Sequence, residues 1–204
     1  MEGMTMTKMF DVRRSEAFRQ LRDVEKVATS IFLNSPLWVP GIFQVPAYAR
    51  EMISRISGLP ADDAEVLERA EVREERHAAF LRRLRGDEAP EVRVVLDESV
   101  LRRAPAGSGA MREQLDHLVE LSEIPSVHIG VIPLDQGPHQ GLAGPFEVHD
   151  AATGALVFFE SAEGDRIVDA PQRVALYRDL VGTLMSTAVT GEELRTLLSK
   201  LTAR

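Results

Sequence analysis

Two valine-rich runs on either side of one amphipathic stretch constrain this chain more than any other feature. "VRVVLD" (92–97) reads as a buried strand and "VHIGVIP" (127–133) as a second. Between them lies the short turn "DESVLRR", then "GSGAMREQLDHLVELSE". That segment sets Met111, Leu115, Leu118 and Leu121 on one helix face behind a Ser108 cap. Strand, helix and strand in this order predict a right-handed parallel crossover. The glycine-rich loop "DQGPHQGLAG" follows. "PFEVHD" and "ALVFFES" then flank "AATG" as an antiparallel hairpin, and "DRIVD" adds a short strand. One sheet holding both a crossover and a hairpin must be mixed. Two helices close the chain, Ala170 to Met185 and a last one capped by Thr190 with Glu193.

The first half reads as helical. In residues 15–33, Phe18, Leu21, Val24 (or Glu25) and Ala28 recur at helical spacing, and Phe32 continues the face. Prolines at 36, 40 and 46 then end any helix. A second helix is expected from Ala47 to Ser57, with Gly58 just past its end. Asp62 with Glu65 predicts the start of a long third one reaching Leu84. "RGDEAP" (85–90) is a hinge. The expected class is α+β: an N-terminal helical layer packed on a small mixed sheet, with two C-terminal helices. The expected segments are a leader (1–14), a helical subdomain (15–86) and a mixed sheet and helix subdomain (91–204). A cleft between subdomains is a common ligand site.

Composition removes several function classes. Hydrophobic residues make up 44 % of 204, so a core can be buried. With no cysteine, there is neither a disulfide nor a thiolate nucleophile or ligand. The net charge of −8 repels phosphate backbones. No signal-peptide pattern and no membrane-length apolar run occurs, which predicts a cytoplasmic protein away from membranes. The five histidines form no HExxH or other tight metal spacing, and no nucleophile elbow or phosphate loop is present. Neither a metal nor a cofactor is expected.

Three places retain chemical interest. "PLWVPGIFQVPAYAREM" (36–52) puts the only tryptophan, Trp38, on a Pro-Gly break. The break is either a packing joint or one wall of a site. On the long helix, Arg73 and His77 fall on the same stripe as Val66, Ala70, Phe80 and Leu84, so they must be paired or line a cavity. Arg50 offers a similar part across the break. In the third place, His139 in the glycine-rich loop and Glu160 at a strand end would form an acid–base pair if they met.

"VPGIFQVPAYAR", "RAEVREERHAAFL", "VVLDESVLRR", the run from Met111 to Asp150 and "VFFES" together resemble an actinobacterial domain of unknown function. That domain usually follows an Xre-type helix-turn-helix in regulators of Streptomyces and its relatives. The resemblance spans roughly residues 17–200. It implies a ligand- or partner-sensing role, often beside a small partner protein, and carries no catalytic residues. The ligand-binding candidates are Trp38, Gln44, Tyr48, Arg50, Arg73, His77, Asp97, Glu98, His139, Phe146 and Glu160. Only sixteen residues precede the resemblance, too few for the helix-turn-helix. The expectation is therefore a free-standing module that senses a small molecule or partner protein, open to homodimer formation, without direct DNA binding. The alternative is a metal-free acid–base enzyme (cyclase, isomerase or hydrolase) using His139 and Glu160, with Asp97, Glu98 and Arg73 in support.

Overall fold

Valine, isoleucine and phenylalanine alternate between two faces of a six-stranded mixed sheet of order β3-β2-β1-β4-β5-β6. The computed structural model describes residues 15–103, 108–161 and 164–202. The strands are β1 (Ser30–Ser35), β2 (Glu91–Asp97), β3 (Val127–Ile132), β4 (Phe146–Ala151), β5 (Gly154–Phe159) and β6 (Arg166–Val168). β1, β2 and β3 run parallel; β4, β5 and β6 continue antiparallel from β1. The α+β class, the 92–132 crossover and the hairpin all stand as the sequence predicts.

The helices are α1 (Glu16–Glu25), α2 (Pro46–Ser57), α3 (Ala64–Leu84), α4 (Glu98–Arg102), α5 (Ser108–Ser122), α6 (Pro171–Met185) and α7 (Gly191–Thr202). One sheet face carries Ile31, Leu33, Val94, Leu96 and Ile129. They pack under Tyr48, Phe80, Leu84, Leu115 and Leu118 from α2, α3 and α5. The other face carries Phe32, Val95, Ile132, Phe146 and Val148, covered by Val174, Val181 and Leu184 of α6. α7 adds Leu194 and Leu198 to the first core. The segment before α7 also covers the free edge of β3: Val131 and Val189 exchange backbone hydrogen bonds of 3.0 and 2.8 Å.

Two expectations change, and two others fall outside the described residues. The first helix ends at Glu25, and residues 30–35 form the central strand β1. Ile31 and Leu33 face one core and Phe32 the other, a period of two that overrides the helical spacing of Phe32. The segment expected to be only helical thus supplies the middle of the sheet. Next, the cap of α3 is Asp63, whose Oδ1 accepts from the Glu65 N–H at 2.9 Å, rather than Asp62. Lastly, the leader 1–14 and the side chain of the expected Ser108 cap lie outside the described residues.

Gly130 shows how closely the end of α6 and the segment after it approach the sheet. A Cβ there would lie 2.8 Å from both the Ala188 Cβ and the Met185 Sδ. Met185 can move aside, but Ala188 cannot without shifting the backbone. Gly130→Ala is expected to cost about 1–3 kcal/mol as overpacking, read as a lowered thermal midpoint; an unchanged midpoint would show that α6 slides freely.

Candidate functional site

Backbone polar groups in the Pro-Gly break cannot all pair with one another, so its own Gln44 and side chains from three helices hold them. Gln44 Nε2 donates to the Val39 carbonyl at 2.7 Å, and the Tyr48 hydroxyl accepts from the Val39 N–H at 3.3 Å. His77 Nδ1 donates to the Ile42 carbonyl at 2.7 Å. Gln114 of α5, fully buried, donates to the Phe43 carbonyl at 2.8 Å and accepts from the Val45 N–H at 2.9 Å. The break is thereby a rigid wall. Trp38, half-buried, stands on it beyond the carboxyl end of β1.

Opposite this wall, the inward stripe of α3 brings Arg69, Arg73 and Arg76 over the sheet. Together with Phe18, Trp38, Gly41, Gln44, Glu147, Phe158 and Glu160 they enclose a narrow slot of about 50 Å³. Arg76 is paired with two carboxylates. Its Nε and Nη2 donate to the two oxygens of Glu25 at 2.7 and 2.9 Å, and Nη2 reaches Glu147 at 3.4 Å. Burial opposes the charge on Arg76, but Glu25 and Glu147 more than offset it and hold the guanidinium firmly protonated. Burial likewise pushes Glu147 up, yet the Arg76 charge and the His149 hydrogen bond (3.0 Å) bring its carboxyl below the ordinary range. Gly41 belongs to this packing, because a Cβ there would press on Arg76 Nη1 at 3.3 Å.

Arg73 and Glu160 differ from Arg76. Arg73 gives one hydrogen bond, Nη1 to Gln44 Oε1 at 3.0 Å. Burial pulls its proton affinity down, and the field of Glu160 only partly restores it. Glu160 makes no hydrogen bond or ion pair among the described residues. Burial raises its carboxyl, Arg73 counters, and Glu147 and Asp165 push it up again. The slot therefore faces one guanidinium and one carboxyl that sense each other without touching.

A second polar cluster lies on the opposite sheet face. Asp97 caps α4, accepting from the Ser99 N–H at 2.8 Å, and its Oδ2 meets His139 Nε2 at 3.2 Å. His139 Nδ1 is buried without a partner among the described residues. Asn34 Nδ2 donates to the Gly141 and Gly144 carbonyls at 2.8 and 2.9 Å and folds the glycine-rich loop onto β1. Gly141 is required by this closeness: a Cβ would lie 2.6 Å from Asn34 Oδ1 and 3.0 Å from His139 Nδ1.

The predicted residues thus divide. Trp38, Gln44, Arg73 and Glu160 line one slot, with Tyr48 and His77 buried behind its wall. Asp97 and His139 pair elsewhere. Glu98 binds Arg102 Nε at 2.8 Å and the Leu134 N–H at 2.9 Å. Phe146 packs edge-on to Tyr177, with centroids 4.8 Å apart, in the α6 core. Arg50 is exposed on α2. The acid–base pair expected of His139 and Glu160 does not form. His139 is bound to β2, and Glu160 follows β5, three strands away in the sheet order, or about 14 Å at ordinary strand spacing. Sequence reasoning missed Arg69, Glu147 and Asn34 and gave Glu25 and Arg76 no site role. For the arginines the signal was present, since 69, 73 and 76 share one helical stripe. Among the described residues no three His, Asp or Glu side chains are grouped to hold a metal ion, and no helix is long and apolar enough to cross a membrane.

A mixed sheet with its crossover helices on one face and a charged slot beyond the end of its central strand defines an α+β module with a built polar cavity. The chain belongs to the family described as Domain of unknown function (DUF5753), which matches residues 18–200. None of the curated proteins and none of the solved structures matches it.

His77 gives this wall a pH signature. Burial lowers its imidazole below the ordinary 6.5, the hydrogen bond to Ile42 opposes this, and His117, edge-on at 4.9 Å, lowers it further. As pH falls through 6.5 the unfolded chain takes up this proton first, so stability is lost on acidification. His77→Gln keeps a donor for Ile42 and removes the titration. Urea unfolding across this range is expected to show a flatter pH dependence in the variant; an unchanged slope would assign the effect to other groups.

Proposed function

We propose that this chain is a sensing module, related to transcriptional regulators, that binds a small molecule in the Trp38–Arg73–Glu160 slot and passes the bound state to a partner protein in the cytoplasm. One observation carries the reading: a half-buried arginine and a half-buried carboxyl line the same slot, and neither forms an ion pair among the described residues. A purely structural network would pair them, as Arg76, Glu25 and Glu147 are paired. The slot is far smaller than the roughly 300–1,000 Å³ of a drug-sized site, so its ligand is small. Residues 15–202 do not read DNA in this proposal, in keeping with the net charge of −8.

Trp38 is the only tryptophan, so its emission reports on the slot alone. A screen of small metabolites is expected to yield a saturable change in that emission, and gel shifts on promoter DNA no specific band. A metabolite bound tightly by calorimetry with silent emission would move the site elsewhere. A specific shift at physiological salt would remove the claim about DNA.

The Asp97–His139 pair supports a second reading, an acid–base enzyme. Asp97 orients the imidazole as a carboxylate does for a general base. Turnover of a substrate found in the same screen should then vanish in His139→Ala and persist in Glu160→Gln; survival in both would end this reading.

A further inference from the structure

The chemistry of the slot narrows its occupant, on the premise that it is a ligand site. Arg73 has five N–H donors and uses one, on Gln44. Glu160 uses neither oxygen among the described residues. The neighbouring charges already have partners: Arg76 grips Glu25 and Glu147, and Arg69 lies 3.7 Å from Glu65. One cation and one carboxyl thus remain open to a guest, flanked by the apolar surfaces of Trp38, Phe18, Val72 and Phe158.

An anion alone would satisfy Arg73 but sit against Glu160 and Glu147. A cation alone would satisfy Glu160 but face three arginines. An uncharged guest leaves both groups desolvated and unmatched. A guest bearing both charges meets both needs. The cavity of about 50 Å³ admits three or four waters, or about five heavy atoms. A free α-amino acid with little or no side chain has this size and this pair of charges.

We propose that the slot binds a small zwitterionic amino acid, its carboxylate on the Arg73 fork and its ammonium on Glu160. Arginine suits the first contact because its planar fork can hold both carboxylate oxygens. Gln44 keeps that fork in place from the rigid wall.

The test titrates the full chain with glycine, L-alanine, acetate and methylammonium, following Trp38 emission and heat. Glycine or alanine is expected to saturate, with acetate and methylammonium weaker by about tenfold or more, since each lacks one charge-assisted contact. This comparison needs no variant to fold. Arg73→Gln should then weaken amino-acid binding by about tenfold or more. Glu160→Gln should abolish the preference for alanine over acetate. Acetate binding the wild type as tightly as alanine would overturn the zwitterion and leave a ligand site for anions. Silence from all four probes would also overturn it, while the metabolite screen judges the sensing reading separately.

Discussion

Arg76→Ala is expected to destabilise the fold by about 3–5 kcal/mol, the usual loss when one member of a buried ion network is removed. Arg76 is the sole cation that touches both Glu25 and Glu147 among the described residues. Its removal leaves two carboxylates facing each other in a site with little water. It also unties α1 from α3, because Glu25 is the last residue of α1. Among the described residues, Arg83 would still hold the Glu25 and Ala28 carbonyls there. A lysine at this position restores the charge but cannot bridge the two carboxylates with a fork, so Arg76→Lys should recover only part of the loss.

Acid gives a further check. In the wild type, Glu147 titrates below its ordinary 4.5, so its stabilisation is present at neutral pH and is lost as pH falls through the lowered value. Without Arg76, burial dominates and the carboxyl titrates high, which penalises the neutral-pH fold. The gap between wild type and variant should therefore narrow on acidification, measured by urea unfolding. A loss under about 1 kcal/mol at neutral pH would mean that the network is as weak as a surface pair.

Gln114→Leu is the second large expected loss. The leucine would fill similar space but leave the Phe43 carbonyl and the Val45 N–H buried and unpaired. Each such group costs about 1–3 kcal/mol, or about 2–6 kcal/mol together. Since Gln44 lies between these two residues and holds Arg73, the damage reaches the slot. Trp38 emission should shift in the folded variant even without ligand. Gln114→Glu keeps an acceptor for Val45 but loses the donor for Phe43 and buries a charge, so it should be no more stable than the leucine variant. Near-wild-type stability of Gln114→Leu would show that water enters the wall and replaces the amide.

The sequence by itself determined the parts that follow from local periodicity. The valine-rich strands, the amphipathic helix between them and the hairpin around "AATG" each fit into a short window, and alternation or helical spacing identifies them. The end of α2 at Gly58, which adopts φ 73°, follows from backbone chemistry alone. The tertiary structure decided the rest. "SIFLNS" is too short to distinguish a strand from the end of a helix. It became β1 because β2 and β4 supply ladders on both sides and two cores lie above and below it. The slot was half legible, since helical spacing put Arg73 on an inward stripe and the Pro-Gly break singled out Trp38. That Glu160 would join them and His139 would not depends on which strands lie side by side. Sheet order is set by long-range pairing and burial, and no local run of residues encodes it.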